Sequence, residues 1–248
     1  VERARTIKVR VAEVTSAGGL PTGEGQEGGE TVGVYHGFKY VETVAGQIAF
    51  ALSSTRTLGL SSGWHEIKNV QLDLYRPGEV GGVLTGDGAS FNVQTRDARL
   101  GGKVQLRLPD GGLITTDKGR FESGTRELVT EAETVYMSER AIGRTASARY
   151  SVTDDRLVLE GGVVIHTAEG LSLTAPRLVY QRDRGMVEAP EGCRLRFPQG
   201  VMEAPRAMVE LDPAGGLPRR LELDGGVTMT GVEGAATLDG WTERLAAH

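Results

Sequence analysis

One cysteine in 248 residues, Cys193, excludes an internal disulfide and any cysteine-based metal cluster. It fits the cytoplasm, or a periplasmic protein that does without disulfides. Residues of the Phe, Trp and Tyr types make up only 5% of the chain, so any core is lean in aromatic bulk. No run of 18 apolar residues occurs, and no segment reads as a bilayer-spanning helix. An excess of positive charge is missing too. Lys and Arg total 28 against 33 Asp and Glu, and the basic residues are scattered, which disfavours nucleic acid as a partner, since a phosphate-binding surface needs clustered Lys and Arg. The histidines are His36, His65, His166 and His248, and none stands at a metal-ligand spacing. His65-Glu66 reads as exposed polar surface ahead of a strand.

Catalytic signals are equally thin. Cys193 sits in the strand-like GCRLRF without an identifiable His or Asn partner, which reads as a buried, inert thiol. Asp154-Asp155 lies between two strands, where turn chemistry accounts for Asp. Trp64 and Trp241 fall outside the repeat described below, so the repeat lacks the aromatic platforms that sugar-cleaving β-repeat enzymes use. A formal G-x-G-x-x-G occurs at Gly23, Gly25 and Gly28, inside the Gly- and Glu-rich stretch Ser16–Glu30. A dinucleotide loop needs a strand before it and a helix after it. Here the flanks are Pro21 and the strand-like TVGVYHGFKYV, and the glutamates repel a pyrophosphate. That stretch reads as a linker. The sequence gives no catalytic residue, no metal site and no cofactor.

Glycine, by contrast, is abundant at 36 residues, which points to many turns. From Val83 to Gly231 the chain repeats itself five times at a period of about thirty residues. Each unit opens on an apolar residue and places a bulky one eight or nine positions in: Phe91, Phe121, Tyr150, Tyr180 and Val209. A polar turn and a second apolar run follow. Alternation is clearest in that second run, with Leu100, Val104, Leu106 and Leu108 on one face, then Leu157, Leu159, Val163 and Ile165, then Leu221, Leu223, Val227 and Met229. A Gly-Gly pair interrupts each series at its middle: Gly101–Gly102, Gly161–Gly162 and Gly225–Gly226. Glycine inside a strand marks a bulge or a bend, so the sheet is expected to bend at one latitude throughout. Leu171 and Leu173 are out of parity with Leu178 and Tyr180, which places a bulge or slip between them. Simple alternation puts Leu159 inside and its neighbour Val158 outside.

The expected fold is therefore all-β: an elongated antiparallel sheet of two-strand repeats, folded on itself. Residues 1–31 read as a short strand (Thr6–Val14) plus the linker, and 32–82 as further strands. The repeat region is 83–231, continuous with what precedes it, and 232–248 form a tail whose end reads as a short helical turn around Thr242–Ala247 or as disorder. The inner face either closes as an ordinary core or leaves a lengthwise groove for an apolar ligand. Open sheet edges at the ends invite strand addition by a similar partner, unless the terminal segments fold over them.

Three stretches carry a resemblance: VAGQIAFALSSTRTLGLSSGWHEIKNVQLDLY, LTGDGASFNVQTRDARLGGKVQLRLPDGGLITTDKGRFES, and RLVLEGGVVI with LSLTAPRLVY. In their order and number they resemble the lipopolysaccharide-transport periplasmic bridge family, of the LptC/LptA (OstA-like) kind, over residues 33–230. The resemblance implies a β-jellyroll of the "β-taco" type. It implies a non-enzymatic periplasmic carrier that receives lipopolysaccharide from an inner-membrane ABC transporter and passes it toward the outer membrane. Other jellyroll bridge proteins would then join it by end-to-end strand addition. The family's inner-membrane member carries an N-terminal transmembrane helix. This sequence, which begins at Val1, shows none, fitting either a piece that starts after the anchor or a wholly periplasmic protein. On this reading the acyl-chain contacts are Phe91, Leu106, Phe121, Tyr150, Leu159, Ile165, Tyr180 and Met229. The other readings of the residues are a filled β-repeat scaffold that binds protein partners through its edges, and a carbohydrate-acting β-repeat enzyme.

Overall fold

The computed structural model describes residues 5–10, 13–15, 29–212, 218–231, 234–238 and 245–246, with side chains for 29–212 and 218–231. The linker glycines Gly23, Gly25 and Gly28, and Trp241, lie outside the described residues. Among these the chain is nearly all antiparallel β, with one short 3-10 turn at Arg182–Arg184 and no helix long and apolar enough to cross a membrane. It divides into two compact units, Val1–Ala132 and Glu133–His248.

The first unit contains β1 (Arg5–Arg10), β2 (Glu13–Thr15), β3 (Thr31–His36), β4 (Lys39–Val44), β5 (Gln47–Ser53) and β6 (Arg56–Leu60). The long strands β7 (Trp64–Arg76), β8 (Glu79–Asn92), β9 (Ala98–Arg107) and β10 (Leu113–Glu122) follow, then β11 (Glu127–Thr130). The long strands belong to two half-sheets at once. One end of β7 pairs with β5, which continues through β4 to β1. Its other end pairs with β6, which continues through β3 to β2. β8, β9 and β10 extend both half-sheets, and β11 adds to the second.

The second unit repeats this plan. It contains β12 (Thr134–Met137), β13 (Ala141–Thr145), β14 (Ser147–Ser151), β15 (Arg156–Thr167), β16 (Ser172–Gln181), β17 (Met186–Ala189) and β18 (Cys193–Phe197). β19 (Gly200–Ala204), β20 (Arg206–Leu211), β21 (Pro218–Asp224), β22 (Val227–Gly231), β23 (Gly234–Leu238) and β24 (Leu245–Ala246) complete it. One half-sheet runs β12-β13-β15-β16-β18-β19-β22-β23. The other runs β14-β15-β16-β17-β20-β21-β24. Leu245–Ala246 thus pairs with β21 as a strand where the sequence suggested a helical turn or disorder, because the edge of β21 offers it backbone partners.

The bend between half-sheets has a fixed arithmetic. Going up, successive buried residues across it are four apart: Leu100 and Val104, Leu159 and Val163, Ala189 and Cys193, Leu223 and Val227. Going down they are three apart: Thr116 and Gly119, Thr145 and Ala148, Ala175 and Leu178, Ala204 and Ala207. The parity change inferred for the fourth unit is one of these three-residue steps, at Ala175–Leu178. The four-residue step takes one residue more than its neighbours, seen as register shifts at β9 and β15. Left-handed backbone absorbs the extra residue at Gly102 (φ +66) and at Gly161 and Gly162 (φ +85 and +86). At Gly161 a Cβ would stand 2.7 Å from that of Ala146, so no side chain fits. On two of the three-residue steps a buried threonine ties the corner. Thr116 Oγ1 donates to the carbonyls of Lys118 and Ala132, and Thr145 Oγ1 to those of Ser147 and Glu160.

Inside the first unit the inner face is filled. Tyr40, Leu52, Leu72, Leu84, Leu106 and Ile114 stand opposite one another across successive strands, each at most 2% exposed. Phe91, Ala98, Phe121 and Leu128 form a second closed row. Tyr40 packs on Phe50 and Phe91 at ring separations of 5.8 and 5.0 Å, and Phe50 on Phe121 at 5.4 Å. Burial holds the Tyr40 phenol above its usual pKa, and the nearby Glu42 adds to this.

His65 belongs to this packing and not to the exposed surface the sequence suggested. Its ring lies against Phe38 at 5.7 Å and Tyr35 at 5.9 Å, and its Nδ1 has no hydrogen-bond partner. Burial lowers its pKa below the ordinary 6.5. Above that value the ring is neutral in both folded and unfolded chains and contributes no pH dependence. Below it the unfolded chain binds the proton first, so stability falls as pH falls through the folded pKa. A His65→Phe variant is expected to lose this component, read as a flatter dependence of the denaturant midpoint between about pH 7 and pH 5.

Candidate functional site: an apolar trough

In the second unit the inner face is closed at the bend and opens away from it. Next to the bend, Ala148, Leu159, Leu178, Ala189, Ala207 and Leu223 are buried on one half-sheet. Val163, Ala175, Cys193, Ala204 and Val227 are buried on the other. Many of these are small, so the floor is formed by short side chains. One row farther out the residues are large. Ile165, Leu173, Leu195, Met202 and Met229 stand opposite one another across β15, β16, β18, β19 and β22. The first four are half-buried, and Met229 is 36% exposed. On the other half-sheet the matching row is Tyr150, Leu157, Tyr180, Val187, Val209 and Leu221. Tyr150 and Leu157 are fully buried, whereas Tyr180, Val187, Val209 and Leu221 are half-exposed. This inner face, an apolar trough, is thus sealed at the bend and partly exposed away from it.

The outer face carries cross-strand ion pairs, Arg177–Glu160 at 3.1 Å and Arg194–Glu203 at 3.4 Å among them, as alternation requires. Alternation fails at one place. Val158, expected outside, is 5% exposed and as buried as Leu159. It stands opposite Val179, also buried, and the Arg182–Arg184 turn packs against β15. Two β-branched side chains thus stand opposite each other on the face that alternation assigns to solvent, both buried.

That turn is also latched to the turn between β14 and β15. Tyr150 donates its hydroxyl to Asp155 Oδ1 at 2.9 Å, and the Arg182 guanidinium donates to the same oxygen at 2.8 Å. The Arg182 N–H bonds the Asp155 carbonyl at 3.1 Å. Both charged side chains are nearly sealed, at 5% and 7% exposure. Asp155 is the left-handed turn residue (φ +47), as turn chemistry suggested, and it is also half of a buried ion pair. Arg96, Arg126 and Gly185 hold the same position in neighbouring repeats, each five residues after Phe91, Phe121 and Tyr180. Arg126 uses it to reach the carbonyls of Ala49 and Tyr75, where pairing between β5 and β7 stops.

Of the residues read from the sequence as acyl contacts, Phe91, Leu106 and Phe121 are in the filled core of the first unit. Tyr150 and Leu159 are sealed on the inner face of the trough, and Ile165, Tyr180 and Met229 lie on its open rows. Leu173, Leu195, Met202 and Val187 complete those rows and escaped the sequence reading. Their signal was present as alternation, but the strands that carry them are only four to ten residues long. Cys193 lies in the trough floor, and burial raises its thiol pKa, which leaves it protonated and unreactive. Among the described residues no group of three or more His, Cys, Asp and Glu side chains could hold a metal ion. No protein-family model matches the chain, and no curated protein matches it either.

Proposed function

We propose that this protein is a non-enzymatic carrier of lipid acyl chains, acting in the periplasm as a component of a lipopolysaccharide-transport bridge. One observation carries the reading. The row Ile165–Leu173–Leu195–Met202–Met229 keeps five large apolar side chains partly open to solvent, side by side, above a floor of short ones. Monomeric proteins seldom expose contiguous apolar rows without a use for them. Burying alkyl methylenes against such a row gains about 0.8 kcal/mol each. Methionine at two of the five positions suits an irregular, exchangeable occupant. The resemblance supplies the cargo, lipopolysaccharide, and the partners: the inner-membrane ABC transporter as donor and other jellyroll bridge proteins as neighbours joined by strand addition.

The filled inner face of the first unit favours a second reading, a β-repeat scaffold that binds proteins through its edges. Photo-crosslinking separates the two. A crosslinker at Leu195, on the open row, is compared with one at Arg194, its outward neighbour, in a cell that makes lipopolysaccharide. The carrier reading expects a lipopolysaccharide adduct at Leu195 and none at Arg194. Well-expressed protein with no adduct at Leu195 would leave the scaffold.

A further inference from the structure

One outer face in the first unit is short of charge. It belongs to the half-sheet of β4 and β5 with the adjoining ends of β7, β8, β9 and β10. Outer faces elsewhere carry ion pairs such as Arg144–Glu133 and Arg177–Glu160. Here one outward row, read across the six strands, is Val41, Ala51, Asp73, Val83, Arg107 and Leu113. Its four apolar members are half-buried, in positions that alternation gives to solvent. The next row toward the bend, from Ser53 on β5 to Thr115 on β10, holds only hydroxyl and amide side chains. On the side away from the bend, Thr43 and Tyr75 continue the face. They stand opposite Ile48 and Val80, which are 45% and 44% exposed. Contiguous exposed apolar surface with little charge has the composition of an interface core. The two charges on the middle row are of opposite sign and stand on either side of Val83. Asp73 accepts a hydrogen bond from Gln71 at 2.8 Å, and neither it nor Arg107 has an ion-pair partner among the described residues.

We infer that this face packs against the same face of a second copy of the chain, sheet on sheet, about a two-fold axis that runs along β8 at Val83. The charges select both the partner and the axis. A two-fold axis parallel to the strands exchanges the positions on either side of β8. It sets Val83 on the partner's Val83, Ala51 on the partner's Leu113 and Asp73 on the partner's Arg107. A small side chain thus meets a large one, and each charge meets its opposite. An axis at right angles to the strands would instead set Asp73 and Arg107 each against its own kind. Aligned sheets pack about 10 Å apart with strands within about 30° of each other, which keeps the rows matched near the axis. Six strands by three rows make roughly 500 Å² of sheet. Two such faces together bury about 1,000 Å², the lower limit for a specific contact, so the dimer is closed but weak, in the micromolar range. The face has no part in the apolar trough, so its failure would leave the carrier reading standing, and the reverse.

The test follows the full chain by sedimentation equilibrium up to about 0.5 mM, well above the expected dissociation constant. The average mass is expected to climb to that of a dimer and stop there. Val83→Glu sets like charges together on the axis. It is expected to raise the dissociation constant more than about tenfold while the far-UV circular dichroism spectrum stays unchanged. Asp73→Arg alone and Arg107→Asp alone each put like charges in register, and each is expected to weaken the dimer by about tenfold. Mixed in equal amounts, these two variants are expected to form a heterodimer about as tightly as the unmodified chain, because each contact then has one charge of either sign. That rescue decides the matter even if Val83→Glu disturbs its strand. A monomer throughout the range overturns the inference, and so does a mixture that fails to associate. A dimer that Val83→Glu and the charge exchanges leave unchanged overturns it too, as does a series of oligomers that does not stop at two. Strand addition at open sheet edges would account for either of these.

Discussion

Replacing Asp155 by Ala is expected to cost about 3–5 kcal/mol of stability, the range for removing one partner of a buried ion pair. The carboxylate is the shared acceptor of the Tyr150 hydroxyl and the Arg182 guanidinium, and both charged side chains are more than nine-tenths covered. Without it, a guanidinium stays in a dry site and loses the anion that made that site tolerable. A second, smaller cost comes from the backbone. Asp155 sits at φ +47, where alanine is less at ease than aspartate. Asp155→Gly separates the two contributions, because glycine relieves the backbone and still removes the carboxylate. If the ion pair dominates, glycine and alanine variants fall close together in a denaturant titration. A loss of under about 1 kcal/mol in both would show that the latch carries little, since an exposed pair is worth no more than that.

Much of this architecture is legible in the chain itself. The period is visible because Phe91, Phe121, Tyr150 and Tyr180 recur at nearly fixed intervals, and each one faces inward. The bend is visible where it uses paired glycines, at Gly101–Gly102, Gly161–Gly162 and Gly225–Gly226, because left-handed backbone leaves few alternatives to glycine. It was hidden at Pro190–Glu191–Gly192, between Ala189 and Cys193, where one glycine (φ +95) and a proline make the same step. Of the three-residue steps only the one at Ala175–Leu178 showed, as a change of parity. The steps use Thr-Asp-Lys, Thr-Ala-Ser or Ala-Pro-Arg, and the residue types in those triplets do not announce a corner. Among left-handed residues other than glycine, Asp155 was marked by turn chemistry, whereas Arg96 and Arg126 gave no local sign. Their backbone is held by contacts remote in sequence, Arg126 with Ala49 and Tyr75 being the longest reach.

What a strand pattern cannot separate is a filled core from an open trough, since both read as the same alternation. Leu106 and Leu195 have equivalent signatures in sequence, yet one is 1% exposed and the other half-buried. The difference arises from what each row faces. In the first unit four aromatic rings, those of Tyr40, Phe50, Phe91 and Phe121, fill the space between the half-sheets. In the second unit the corresponding floor is Ala189, Cys193, Ala204 and Ala207, short side chains with no aromatic ring among them. Five per cent aromatic residues, spread evenly, would have predicted one uniform interior. Their concentration in the first unit is what divides a core from a trough.

Paired truncations test that division, and they carry the second large effect. Phe121→Ala is expected to lose about 3–5 kcal/mol, as for other buried aromatic deletions. The ring is 1% exposed and packs edge-on against Phe50 at 5.4 Å, and neighbours fixed by the strand ladder cannot collapse into the space it leaves. Met202→Ala, on the open row, is expected to cost no more than about 1 kcal/mol, because truncating a side chain that reaches solvent leaves no sealed cavity. Function is expected to run the other way. Met202→Glu places a charge among the apolar rows and is expected to abolish the lipopolysaccharide adduct at Leu195 with the protein still folded. A conservative Phe121→Leu, which keeps the core packed, is expected to leave that adduct intact. Equal stability losses at Phe121 and Met202 would mean that the second unit is filled like the first. In that case the half-open row would be surface without cargo, and the edges of the sheet would be the place to look for partners.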